Sequence, residues 1–232
     1  MKQMSTRRIS TKSNNKSLGP GSMTKIQLKY LNLRAKGEPI RLLLTYVQHP
    51  FEDVRENFLE YAKYKDKHPL PRLPSLIIDD KLELTYTNVI LAYLGRKFGL
   101  EPDTDEGKAM AEQLAERIQD YFSFLKPYIN CLLGLVPADR LQGLSEQVFI
   151  PCCTKDYGLI VEKQLERTNT GYLVGDSLTY VDFYAACFSD FALTYGRADV
   201  FDRFPRVQYH CKAVLSLPQL QDYLKNRPDS LC

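Results

Sequence analysis

From Met23 onward, apolar positions recur with two different periods. In "KIQLKY", Ile26, Leu28 and Tyr30 alternate with polar residues, the two-residue period of a half-buried strand. "EPIRLLLTYVQH" changes to helical spacing with Pro39 early, where a missing N–H leaves no bond unmade. "FEDVREN" supplies a second strand. "LPSLIIDDKLELTY" reads as an apolar run, an Asp-Asp turn and another strand, which is a hairpin signal. "TNVILAYLGRKFG" predicts a helix with Thr87 as N-cap, Ile90, Leu91, Leu94 and Phe98 on one face, and Gly99 at its end. Residues 23–100 therefore form an α/β module.

The pattern then changes. "LEPDTDEG", with Pro102 and four acids, is a short linker. Beyond it no segment alternates as a strand does. "KAMAEQLAERIQDYFSFLKPYINCLLGL" and "SEQVFIPCCTKDYGLIVEKQLERT" carry apolar faces at helical spacing and read as long helices. "TYVDFYAACFSDFALTYG" is apolar nearly all round, as the central helix of a domain is. Thr179 and Asp182 stand at capping-box spacing at its start. Residues 101–232 form an all-α module.

Charge narrows the picture little until it is partitioned. The chain has 232 residues with 31 Lys and Arg against 28 Asp and Glu, a net +3. Five of the basic residues and no acid lie in residues 1–22, "MKQMSTRRISTKSNNKSLGPGS", so the remainder is slightly acidic. That segment reads as a basic, disordered leader, with the composition of an organelle transit peptide but no apolar helical face, or equally, with "GPGS" before Met23, as a cloning remnant. In the body, Lys and Arg are interspersed with acids, which argues against a nucleic-acid stripe, and no apolar run is long enough to cross a membrane. Cysteines 131, 152, 153, 187, 211 and 232 show neither metal-ligand spacing nor a disulfide framework, so reduced thiols in the cytoplasm are expected.

The candidate chemistry lies where the first strand meets the first helix. Tyr30 ends the strand, and Arg34 and Lys36 follow within six residues. A tyrosine there is a packing ring, a buried hydrogen bond or the working group of an active site. Arg34 either biases the local field or braces the junction through carbonyls and Glu38. No cysteine occurs between Met1 and Asn130, which disfavours a Cys-x-x-Cys redox site at this junction.

In order and spacing, "YLNLRAKGEPIRLLL", "LPRLPSL", "YTNVILAYLGRKFGL", "LVGDSLTYVDF" and "LPQLQDYLKNRP" resemble the cytosolic glutathione transferases, most closely the sigma class that includes glutathione-dependent prostaglandin D synthases. The resemblance implies a thioredoxin-like domain with a mixed four-stranded sheet, an all-helical domain after it, a homodimer, and glutathione as co-substrate with no metal. It implies that Tyr30 donates a hydrogen bond to the glutathione sulfur, aided by Arg34 or Lys36. Lowering a thiol pKa by two units takes about 2.7 kcal/mol of preferential thiolate stabilisation, within reach of a charge-assisted hydrogen bond. It further implies that Lys65, beside Tyr61, takes the glycine carboxylate. Leu73, if the Leu73-Pro74 bond is cis, offers its strand edge to the cysteinyl backbone, with Arg72 preceding it. Tyr86 and Thr87, at the start of the third helix, face the γ-glutamyl carboxylate. Asp120, from the neighbouring subunit, meets the γ-glutamyl ammonium.

Several positions depart from the sigma pattern: Tyr86-Thr87 replaces Gln-Ser, Lys36 replaces Arg, Ala35 replaces Gly and Tyr61 replaces Trp. Exchanging Arg for Lys trades a rigid fork for a point charge, so weaker glutathione binding is expected. The function implied is conjugation of the glutathione thiolate to hydrophobic electrophiles, with Leu31, Phe124, Tyr128 and Leu231 as candidates to line the second pocket. The alternatives are a prostaglandin D isomerase using the same site and a non-catalytic, crystallin-like member.

Overall fold

The computed structural model describes residues 24–64 and 72–230. Strand β1 (Ile26–Leu31) buries Ile26, Leu28 and Tyr30 on one face, as their two-residue period requires. It pairs in parallel with β2 (Glu52–Glu56) on one side and antiparallel with β3 (Ser75–Ile78) on the other, and β4 (Leu82–Thr85) completes a sheet in the order β2-β1-β3-β4. The parallel pair needs a crossover, supplied by α1 (Glu38–Tyr46). Asp79 and Asp80 turn the β3-β4 hairpin at φ of 50° and 54°, a region that short polar side chains tolerate. Helix α2 (Phe58–Tyr64) follows β2, and α3 (Thr87–Phe98) follows β4, ending on Gly99 at φ 69°. The result is a thioredoxin-like mixed sheet with helices.

From Asp105 on, the described residues are helical, without strands. Helix α4 (Asp105–Phe124) and α5 (Lys126–Leu132) are separate helices where one long helix is expected. The break falls at Leu125 because Pro127 fits only the first turn of a helix. After the short α6 (Leu141–Leu144), two π-helical stretches, Ser145–Phe149 and Cys152–Tyr157, lead into α7 (Gly158–Thr168). They bury Cys152 and Cys153 among apolar side chains, and desolvation pushes the Cys152 thiol up to about 12. These two are packing residues. The five described cysteines are all free and buried.

The central helix, α8 (Tyr180–Tyr195), packs against both α1 and α4 and so joins the sheet domain to the helical one. Buried Asp182 in its first turn accepts hydrogen bonds from the Thr179 N–H and hydroxyl, both at 2.8 Å, and from the Leu173 N–H at 2.9 Å. His210, on α9 (Pro205–Leu215), pairs with the same carboxylate at 2.9 Å. The expected capping box is therefore also the junction of α8, α9 and the loop before them.

A second junction is ionic. Glu38, 3% exposed, accepts from Tyr223 at 3.0 Å and from Arg227 at 2.9 Å, at the start and beyond the end of the Tyr223 helix α10 (Gln221–Asn226) respectively. Arg41, fully buried, reaches Glu38, Asp53 and the Leu33 carbonyl. The C-terminal segment is thus held to α1 and β2.

Asp182→Ala leaves two buried N–H groups, a hydroxyl and an imidazole without their acceptor. At about 1–3 kcal/mol for each unmet buried group, partly relaxed, a loss of roughly 3–5 kcal/mol is expected, read as a fall in the urea midpoint.

Candidate functional site

The site is built around a close approach that glycine permits. The turn 35–37 lies on the Tyr30 ring so tightly that a Cβ at Gly37 would stand 2.7 Å from the ring's Cγ. The Arg41 guanidinium sits 5.8 Å from the ring centroid. Tyr30 is 6% exposed, its ring packed close to Gly37 and near the Arg41 guanidinium. The 35–37 turn packs against α8 of the helical domain.

Thr87 is placed differently from expectation. Tyr86 occupies the N-cap position of α3, at φ 69° and ψ 125°, and the Thr87 hydroxyl, 2% exposed, donates to the Lys36 carbonyl at 3.1 Å. It ties the start of α3 to the turn over Tyr30 instead of capping the helix. A non-glycine residue in such a conformation is costly and recurs where backbone must face a ligand. Ala35, where the sigma pattern has Gly, is also left-handed, at φ 25°.

Arg34 does not brace the junction through Glu38, whose oxygens are taken by Arg41, Tyr223 and Arg227. Its guanidinium lies 5.5 Å from the Tyr195 ring centroid at the end of α8, and its Nε is buried without a partner. The Lys36 ammonium is half-buried, and its pKa is lowered first by that burial and then by Lys126 of α5. Tyr128 of α5 donates to the Tyr195 carbonyl at 2.8 Å. Arg34 of the sheet domain thus meets Tyr195 of the helical domain.

The Leu73-Pro74 bond is cis. Arg72, just before it, lies 5.2 Å from the Tyr86 ring centroid, so the loop entering β3 and the start of α3 are side by side. Tyr61 is half-buried on α2, and Lys65 lies outside the described residues, as does Leu231. Asp120 is on the exposed face of α4, away from the face that buries Leu114, Ile118 and Phe122. Phe124 is 56% exposed, whereas Tyr128 is buried. Among the described residues, no group of His, Cys, Asp and Glu gathers as a metal site does, and no helix is long and apolar enough to cross a membrane.

The model of the glutathione S-transferase N-terminal domain matches residues 26–96, and that of the C-terminal domain matches residues 142–227. The probable glutathione S-transferase 8 of Caenorhabditis elegans is 33% identical over 208 residues, covering 90% of this chain and 99% of its own. The chain belongs to the glutathione S-transferase family. The solved structure of NaGST-2 superposes on this transferase with a TM-score of 0.83 at 31% identity, over 90% of this chain and all of that one. A Nu-class transferase from Haemonchus contortus gives 0.77 at 35% identity, over 90% of this chain and all of that one.

Membership makes the misses instructive. Tyr184 and Tyr195 were hidden in a helix apolar nearly all round, although Tyr184, Phe188, Phe191 and Tyr195 recur at helical spacing on the face that meets the cleft and α4. Tyr184 also donates to Gln119 of α4 at 3.1 Å, a contact no local pattern announces.

Gly37→Ala drives a methyl group into the Tyr30 ring at a position whose φ of −85° is otherwise permissive. Because misplacement of a reacting group by about 1 Å can cost up to roughly a hundredfold, a loss of kcat of about tenfold or more is expected in steady-state assays, with the fold retained by circular dichroism.

Proposed function

We propose that this transferase conjugates the thiolate of glutathione to hydrophobic electrophiles, with Tyr30 as the hydrogen-bond donor to the sulfur. The observation that carries the reading is the phenol of Tyr30, buried at the end of β1 with its ring packed against Gly37 and close to Arg41. A fixed donor loses little freedom when it bonds the sulfur, so more of the bond's energy goes into favouring thiolate over thiol. The thiol proton leaves to solvent, the sulfur lone pair attacks the electrophilic carbon, and the leaving group departs with its bonding electrons. Lys36 stands in the same half-buried surroundings, and a neighbouring thiolate offsets the desolvation that its ammonium suffers.

Glutathione on this reading runs along the edge formed by the cis Leu73-Pro74 segment. Its γ-glutamyl end lies towards Tyr86 and Thr87 and its glycine carboxylate towards Lys65, Tyr61 and Arg72. Support comes from the contact between Arg72 and Tyr86, which draws the two loops together. The binding domain covers residues 23–100 and the helical domain residues 101–232. Exposed Asp120 is assigned to a second subunit's glutathione, making a homodimer, although the related Na-GST-3 of Necator americanus is described as monomeric. Sedimentation velocity separates the two states. The free, buried thiols favour a cytoplasmic enzyme. The sigma-like assignment rests on the tyrosine mechanism. Likeness to a prostaglandin synthase of Nilaparvata lugens, at 24% identity, concerns the fold alone.

The test is Tyr30→Phe, assayed with a chloronitrobenzene acceptor. Turnover is expected to fall roughly a hundredfold, equivalent to about 2.7 kcal/mol of transition-state stabilisation, with little change in thermal stability. Ultraviolet titration of the bound thiol should show its pKa rising in the variant. An unchanged rate and an unchanged thiol pKa overturn the assignment.

A further inference from the structure

Arg34 is held at both ends, by the turn beneath Tyr30 and by the last aromatic ring of α8. Its carbonyl accepts hydrogen bonds from the Gly37 N–H at 3.2 Å and the Glu38 N–H at 2.9 Å, closing the turn that lies against the Tyr30 ring. Its guanidinium lies 5.5 Å from the Tyr195 ring centroid, with Nε buried and unpartnered. Among the described residues it makes no ion pair. The acids of α1, β2 and α8 are committed elsewhere: Glu38 to Arg41 and Arg227, Asp53 to Arg41 and Arg55, and Asp190 to Arg227.

Tyr195 is itself anchored. Its hydroxyl donates to the Ser230 carbonyl at 2.7 Å, its carbonyl accepts from the Tyr128 hydroxyl at 2.8 Å, and its ring packs on that of Phe191 with centroids 5.9 Å apart. The C-terminal segment and α5 thus fix the ring that carries the guanidinium. An aromatic face attracts a cation without neutralising it, whereas a carboxylate at the same place would cancel its field.

We propose that Tyr195 is a positioning residue for the transfer reaction, holding Arg34 as an uncancelled cation beside Tyr30, where its field favours the thiolate of glutathione over the thiol. The inference rests on the transferase reading above and adds to it a residue of the helical domain. Tyr195 acts on the sulfur only through Arg34.

The experiment measures the thiol pKa of bound glutathione by ultraviolet titration. In Tyr195→Leu it is expected to rise by about one unit, leaving roughly tenfold less thiolate at neutral pH, and the deficit in kcat should close as the pH is raised above it. Tyr195→Phe keeps the ring and loses only the hydroxyl, so its thiol pKa stays at the wild-type value. Arg34→Gln alone should raise the pKa, and adding Tyr195→Leu to it should raise it no further. An unchanged pKa in Tyr195→Leu or in Arg34→Gln overturns the proposal, as does an equal rise in Tyr195→Phe or a full further rise in the double variant. Should circular dichroism show Tyr195→Leu unfolded, Tyr195→Met takes its place, with the same outcomes.

A wild type that leaves the bound thiol no more acidic than free glutathione defeats the transferase reading separately. The Arg34 Nε–H resonance then tests the hold of the ring alone. Slow exchange with solvent in the wild type and Tyr195→Phe that becomes fast in Tyr195→Leu supports it, and equal exchange in all three overturns it.

Discussion

The Glu38 carboxylate is the contact on which the geometry of the molecule turns. It opens α1, one residue after the glycine that touches Tyr30, and it is bound by groups from the far end of the chain, the Tyr223 hydroxyl and the Arg227 guanidinium. Around it Glu38, Asp53 and Asp190 face Arg41, Arg55 and Arg227, three charges of each sign. Burying such a set repays its desolvation only when every member is matched, so its effect is felt less in net stability than in the uniqueness of the docking it permits. A shifted C-terminal segment leaves Glu38 and Arg41 charged, buried and unmatched. The position of the α1 start, and of the turn resting on Tyr30, is thereby coupled to the helical domain.

Most of the fold was legible in the residues because two periods separate cleanly. Ile26, Leu28 and Tyr30 alternate, whereas Ile90, Leu91 and Leu94 recur as a helix face, and both sets are buried as their spacing demands. What escaped was local. The split between α4 and α5 lies in a stretch whose apolar spacing continues across Pro127, a residue compatible with either ending one helix or starting the next. The π-helical turns at Ser145–Phe149 and Cys152–Tyr157 change the period by about one residue per turn, which a search for a 3.6-residue repeat blurs.

The site was legible in a different way. Tyr30 stands out only through resemblance, since a buried tyrosine at a strand end is ordinary packing in most chains. The role of Gly37 is geometric and invisible without the Tyr30 ring lying over it. Thr87 illustrates how one residue type serves two ends: a hydroxyl at a helix start suggests a cap, yet here it reaches the Lys36 carbonyl, fifty-one positions earlier. The same interaction makes the α3 terminus and the Tyr30 turn a single unit, so the strained Tyr86 backbone and the phenol cannot be positioned independently.

The distribution of charge separates structure from function in this molecule. Around Glu38, buried cations and anions meet at hydrogen-bond distance, whereas Arg34, over the Tyr195 ring, makes no ion pair among the described residues. The first arrangement is what folding alone selects, because each buried charge meets its opposite. An arginine left without a carboxylate beside the phenol is suited to a ligand that brings the negative charge itself, as the proposed thiolate does.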